Sequence, residues 1–187
     1  LMVLGLALAA LVSLSSLYLA VSLAIMILLY DFGTTGIPVL GALTLGACRF
    51  FNVLLGLSAG MTITSGVFNQ PPLEVPLAPA LIMGLYAAGV TAFSAQEEEG
   101  RDRRAGFIGW LFIDAAMLIA VLSTKDHFAI PLLAMIWTVI FYHSYKVRTQ
   151  GTPVAARNMI RTAVMGIPVL DAAMIIGFAG FANFPWG

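Results

Sequence analysis

The sequence predicts an all-α integral membrane protein, a transmembrane bundle of about seven helices. Composition is the first sign: of 187 residues, 60% are hydrophobic and 10% are charged, where a soluble domain carries roughly a quarter charged residues. A soluble fold of this size has no interior large enough to hide that much apolar surface, so the bilayer must be the solvent for most side chains. The second sign is length, because several apolar stretches approach or exceed the ~20 residues needed to cross ~30 Å of hydrocarbon. The third is pattern. In lipid every backbone polar group must be satisfied internally, which leaves helices or a closed barrel. Barrel strands alternate polar and apolar residues, whereas Phe107 to Leu122 is apolar at nearly every position.

Seven segments follow from that pattern: Leu1 to Val12, Leu17 to Tyr30, Ile37 to Ala59, Val75 to Ala95, Phe107 to Leu122, Phe128 to Tyr145 and Arg157 to Phe184. The first two are separated at the Ser13, Ser15, Ser16 cluster, since a single span would use 30 residues where about 20 suffice. Breakers mark the later connections: Asp31 to Gly36 ahead of Pro38, Asn69 to Pro72 with Pro76, and Gln150 to Pro153. Residues 1–187 therefore form one transmembrane helical domain, with no internal repeat. Leu1 opens an apolar run with no basic segment before it, so no secretory signal is visible. With no initiator Met, the chain is expected to lack part of its N-terminus.

The basic residues set the orientation. Loops alternate sides, so residues 31–36, 95–106 and 146–156 share one face. With the adjoining helix ends, that face carries Arg101, Arg103, Arg104, Lys146, Arg148, Arg157 and Arg161, against Lys125 alone on the other. The positive-inside rule makes the arginine-rich face cytoplasmic, in a bacterial inner membrane. A net charge of zero, with the basic residues spread over several loops, gives no reason to expect a nucleic-acid partner. One cysteine, Cys48, excludes an internal disulfide and a multi-cysteine metal site.

Four polar features need explaining. Arg49 lies near the middle of the third segment with Asn52 at i+3 on the same helix face. A guanidinium at that depth costs at least ~2.5 kcal/mol, so it is expected to face the interior, either as a structural anchor to Asp114 or Asp171 or, with Asn52, lining a cavity for a ligand head group. The stretch Ser94 to Gly106 packs four acids and three arginines together. A solvated loop is the default reading of such a run. The alternative comes from spacing, because Glu98 and Asp102 are four apart and a helical turn puts both carboxylates on one face. Paired carboxylates at a membrane surface suit Mg²⁺ shared with substrate phosphates, and nearby arginines suit the phosphate oxygens. His127 and His143 fall on opposite sides of the membrane and cannot share a metal, although a tetrapyrrole could use either singly. Trp137, Tyr142, Tyr145 and Trp186 fit interfacial aromatic belts.

These residues resemble the UbiA-type intramembrane prenyltransferases, most closely the EboC-like branch. The resemblance rests on Leu29-Tyr-Asp31 with Pro38-Val-Leu-Gly41, on Gly46-Ala-Cys-Arg-Phe-Phe-Asn-Val-Leu-Leu-Gly56, on Thr91-Ala-Phe-Ser94 leading into the charged stretch, and on Leu170-Asp-Ala-Ala173. The resemblance implies an all-helical protein, typically of nine spans around a central cavity, that transfers a prenyl group from its diphosphate to an aromatic or lipid-forming acceptor. It places Mg²⁺ on Glu98 and Asp102 and the substrate against Arg49, Asn52, Arg101 and Arg103; it assigns no catalytic side chain. Ala95, at a position often acidic, and Glu in place of Asp depart from the family's second Asp-rich motif. The first such motif is absent and would lie upstream of Leu1, so residues 1–187 alone are expected to be inactive. The competing expectation is a noncatalytic relative, a structural subunit of a larger membrane complex such as a pigment-bearing photosynthetic or electron-transfer assembly. A transporter is a weaker third reading, since intramembrane charges can mark a solute path.

Overall fold

A computed structural model describes residues 2–34, 37–65, 77–99, 103–124 and 127–179, without the side chains of residues 38, 59–65, 95–99, 103–105 and 179. Among these residues the chain is all-helical: α1 (Met2–Val12), α2 (Leu14–Leu29) running into a π-helical turn (Tyr30–Thr34), α3 (Pro38–Ser65), α4 (Leu77–Glu99), α5 (Arg103–Ser123), α6 (Ala129–Gln150) and α7 (Pro153–Ala179). The seven expected segments are all present. Six of the helices are long and apolar enough to cross a membrane, which identifies an integral membrane protein. The exception is α1. Its 11 described residues rise about 16 Å at ~1.5 Å each, roughly half the hydrocarbon thickness. The alternation of the later loops is unaffected.

Local chemistry explains the breaks. Ser13 adopts an extended conformation (φ −167°, ψ 162°), and its side chain accepts from the Ser16 backbone N–H, capping α2. The α6–α7 connection is two residues long: Gly151 takes the left-handed conformation (φ 62°) and its N–H donates to the Val147 carbonyl at 2.9 Å. Thr152 then accepts from the Ala155 N–H, and Pro153 takes the first helical position, where its missing N–H costs nothing.

Helix α4 is the hub, packed against α3, α5 and α7, while α2 bridges α1 and α3 and α6 packs mainly against α7. Its buried residues Ile82, Tyr86 and Phe93 meet Ile113 and Met117 of α5, Leu133 and Ile140 of α6, and Met159 and Leu170 of α7 in one continuous core. In lipid, close backbone approach drives helix association, and small residues permit it. A Cβ at Gly46 would stand 2.6 Å from the Gly84 carbonyl oxygen, and one at Gly89 would stand 2.7 Å from that of Gly109. The α3–α4 and α4–α5 interfaces therefore exist only because these positions lack side chains. Hydroxyls join the remaining helices: Ser16 of α2 to Ser58 of α3 at 3.0 Å, and Thr34 of the π-turn to Thr44 of α3 at 2.8 Å. Buried Tyr86 donates to the Ala163 carbonyl of α7 at 2.7 Å, one turn ahead of Pro168, where the ring perturbs the helix's own hydrogen-bond ladder.

Candidate functional site

The charged stretch is less of a loop than its composition suggests. Helix α4 continues to Glu99 and α5 starts at Arg103, so Glu97, Glu98 and Glu99 occupy the C-terminal turn of one helix and Arg103 and Arg104 the N-terminal turn of the next. Arg101 and Asp102 lie outside the described residues; Glu98 and Arg103 belong to described helices, but their side chains lie outside the description. The polarity of the arrangement is informative by itself. A helix C-terminus favours cations and an N-terminus favours anions. Acids at the end of α4 and arginines at the start of α5 oppose both macrodipoles. A cation held at the acids and a phosphate held at the arginines would reverse both mismatches, because each ligand then matches the dipole end and the side chains beside it.

Arg49 and Asn52 project from α3 at exposed positions, as does Asp171 from α7. This corrects the expectation that Arg49 points into the bundle. Its helix face was legible from the i, i+3 spacing, but the neighbours of that face were not: α3 packs on α4 through Gly46 and Phe50, and Arg49 lies to one side of that contact, exposed. Asp171 nevertheless lies within electrostatic reach of the Arg49 charge, so the two residues set opposite charges close together on helices that flank α4.

Asp114 has a different role from the one expected. Its carboxylate accepts from the Trp137 indole N–H at 2.8 Å, joining α5 to α6. Trp137 is thus an interhelical tie within the bundle rather than a belt residue. His127 is exposed beyond the start of α6, and the His143 ring packs edge-on against Tyr142, whose own ring carries the Lys146 ammonium 4.6 Å from its centroid. Among the described residues no three His, Cys, Asp or Glu side chains group as metal ligands.

A cavity of about 740 Å³ opens between α5 and α6, lined by Phe93, Phe107, Trp110, Phe141 and Tyr145 with Arg148 among them. None of these residues stands out in the sequence as part of a site. Phe93, Phe107 and Trp110 read as ordinary lipid-facing or core positions, and the one available signal was the clustering of aromatics near the arginine-rich ends of three helices.

Comparison with known proteins finds no family model, no characterised protein and no solved structure that matches the chain. The fold and the site define its class: a polytopic, all-α membrane protein with a charged helical hairpin turn at one end of the bundle.

Proposed function

We propose that this protein is a UbiA-like membrane prenyltransferase, in which the α4–α5 turn receives a prenyl diphosphate together with Mg²⁺. The observation that supports it most is the reversed charge polarity of that turn, with acids closing α4 and arginines opening α5. A metal–diphosphate pair complements that polarity at both ends. Glu98 and Asp102 would hold the ion, and Arg101 and Arg103 would meet the diphosphate oxygens through forked hydrogen bonds. The ion would supply charge neutralisation on the departing diphosphate. The arginines would stabilise the same developing charge in a site with little water. Arg49 and Asn52, with Asp171 near Arg49, would offer polar contacts on the outer side of α3 and α7 for the acceptor, an aromatic or lipid-forming molecule taken from the membrane.

A second reading, a noncatalytic subunit of a larger membrane complex, draws on one specific observation. Arg49, Asn52 and Asp171 are exposed on a bundle whose surroundings are hydrocarbon, and charges at that depth require a polar cover. Another membrane subunit or a pigment would supply it. Transfer assays separate the two readings. Residues 1–187 alone should transfer no prenyl group, whereas membranes containing a longer form that also carries the first Asp-rich motif, a labelled prenyl diphosphate and a lipid extract as acceptor should release inorganic diphosphate and form a labelled lipid only with Mg²⁺, and Asp102→Ala should abolish this without loss of folded protein. No transfer with any acceptor, together with stable co-purification of a second membrane protein lost on Arg49→Ala, would favour the subunit.

A further inference from the structure

The cavity between α5 and α6 exists because its two walls are held by other helices. Helix α5 is drawn against α4 at the Gly89–Gly109 contact, and α6 is held to α7, where buried Ser144 donates to the Met159 sulfur at 3.5 Å. The pair meets at the Asp114–Trp137 bond and parts toward Gly106 and Arg148, leaving about 740 Å³, within the ~300–1,000 Å³ typical of ligand sites. Phe107, Phe141 and Tyr145 are half exposed, so the crevice opens sideways into the bilayer. Water is a poor occupant, because it needs two to four polar partners and the walls are mostly apolar.

We propose that this crevice binds an anionic phospholipid of the surrounding bilayer, with one acyl chain among the aromatic walls and the phosphate against Arg148. Charge complementarity selects the head group. The Arg148 guanidinium is exposed, lies 5.9 Å from the centroid of the Phe107 ring, and has no carboxylate partner among the described residues. Lys146, Arg157 and Arg161 belong to the same end of the bundle, and a basic residue near an anionic leaflet attracts its lipids. Helix α4 separates the crevice from α3 and Arg49, since α4 meets α3 through Gly84 and Ala88 and meets α5 through Gly89 and Ala92, while Gly106 brings its mouth close to the α4–α5 turn.

The test uses Trp110, which lines the crevice. With Trp137 and Trp186 replaced by Phe, Trp110 is the one remaining indole, and its fluorescence is read in vesicles containing acyl-brominated phosphatidylglycerol or phosphatidylcholine. The anionic lipid should quench with an apparent affinity about 5-fold higher, as expected for one basic residue at the membrane surface. Arg148→Gln should remove that preference, whereas Arg148→Lys and Arg161→Gln should keep it. Native mass spectrometry of the otherwise unaltered protein reads the same site without the tryptophan replacements, and bound phosphatidylglycerol should fall in Arg148→Gln. Equal quenching by both lipids, or a preference that survives Arg148→Gln, would overturn the proposal. So would relief of quenching by stoichiometric farnesyl diphosphate, which would make the isoprenoid the occupant.

Discussion

Replacing Gly89 with Ala should destabilise the bundle, and the structure sets both the sign and the scale. A Cβ at Gly89 would meet Ile113 Cγ1 at 2.5 Å, the Gly109 carbonyl oxygen at 2.7 Å and the Ile113 backbone nitrogen at 3.1 Å. Two of these three atoms are backbone, so rotamer changes cannot relieve the contact and α5 must move away from α4. Overpacking of this kind costs ~1–3 kcal/mol, with the upper half expected where backbone must shift. Alanine regains ~1 kcal/mol of helix propensity, leaving a net loss of about 1–2 kcal/mol. Gly56 on α3 is the internal control, since a Cβ there meets nothing within 4 Å; Gly56→Ala should be neutral or stabilising by up to ~1 kcal/mol. Reversible unfolding of both variants in mixed micelles measures the difference. The close-packing argument fails if Gly89→Ala is as stable as Gly56→Ala.

Three further outcomes follow from named contacts. Tyr86→Phe removes the donor to the Ala163 carbonyl without changing the packing, and should cost ~0.5–1.5 kcal/mol in the same unfolding assay. Asp114→Ala should cost about 0.6–1.7 kcal/mol, the range of interhelical hydrogen bonds in a bilayer, while Asp114→Asn, which keeps a carbonyl acceptor for the Trp137 indole, should retain most of that stability. In a background where Cys48, the single cysteine, is Ala, Arg104→Cys should resist a membrane-impermeant maleimide in intact cells and react after permeabilisation. Labelling in intact cells would reject the cytoplasmic placement of the α4–α5 turn.

Helix number and position were legible in the sequence because apolar length and breakers act locally. Gly151 and Pro153 end and restart a helix through their own backbone preferences, and Ser13 interrupts one with its own hydroxyl. Partners were not legible. Asp114 and Trp137 are 23 residues apart, and their pairing depends on how α5 and α6 diverge, which in turn depends on glycines in α4 and α5. Arg49 stood out in the sequence as a charge inside an apolar segment, but its direction depends on how α3 packs on α4. The crevice at Arg148 was invisible for the same reason: it is a gap left by contacts made elsewhere. At the α4–α5 turn the residue types were plain from the sequence, whereas the reversal of both helix dipoles appears only once α4 is seen to run to Glu99 and α5 to begin at Arg103.

The transferase account depends on whether the α4–α5 turn binds a metal–diphosphate pair, and calorimetric titration of the detergent-solubilised protein with farnesyl diphosphate tests this directly. Binding should require Mg²⁺, and Glu98→Ala and Asp102→Ala should each weaken it at least 10-fold while leaving thermal unfolding unchanged. Binding of equal strength with Mg²⁺ removed, or unaltered in both variants, would contradict the account.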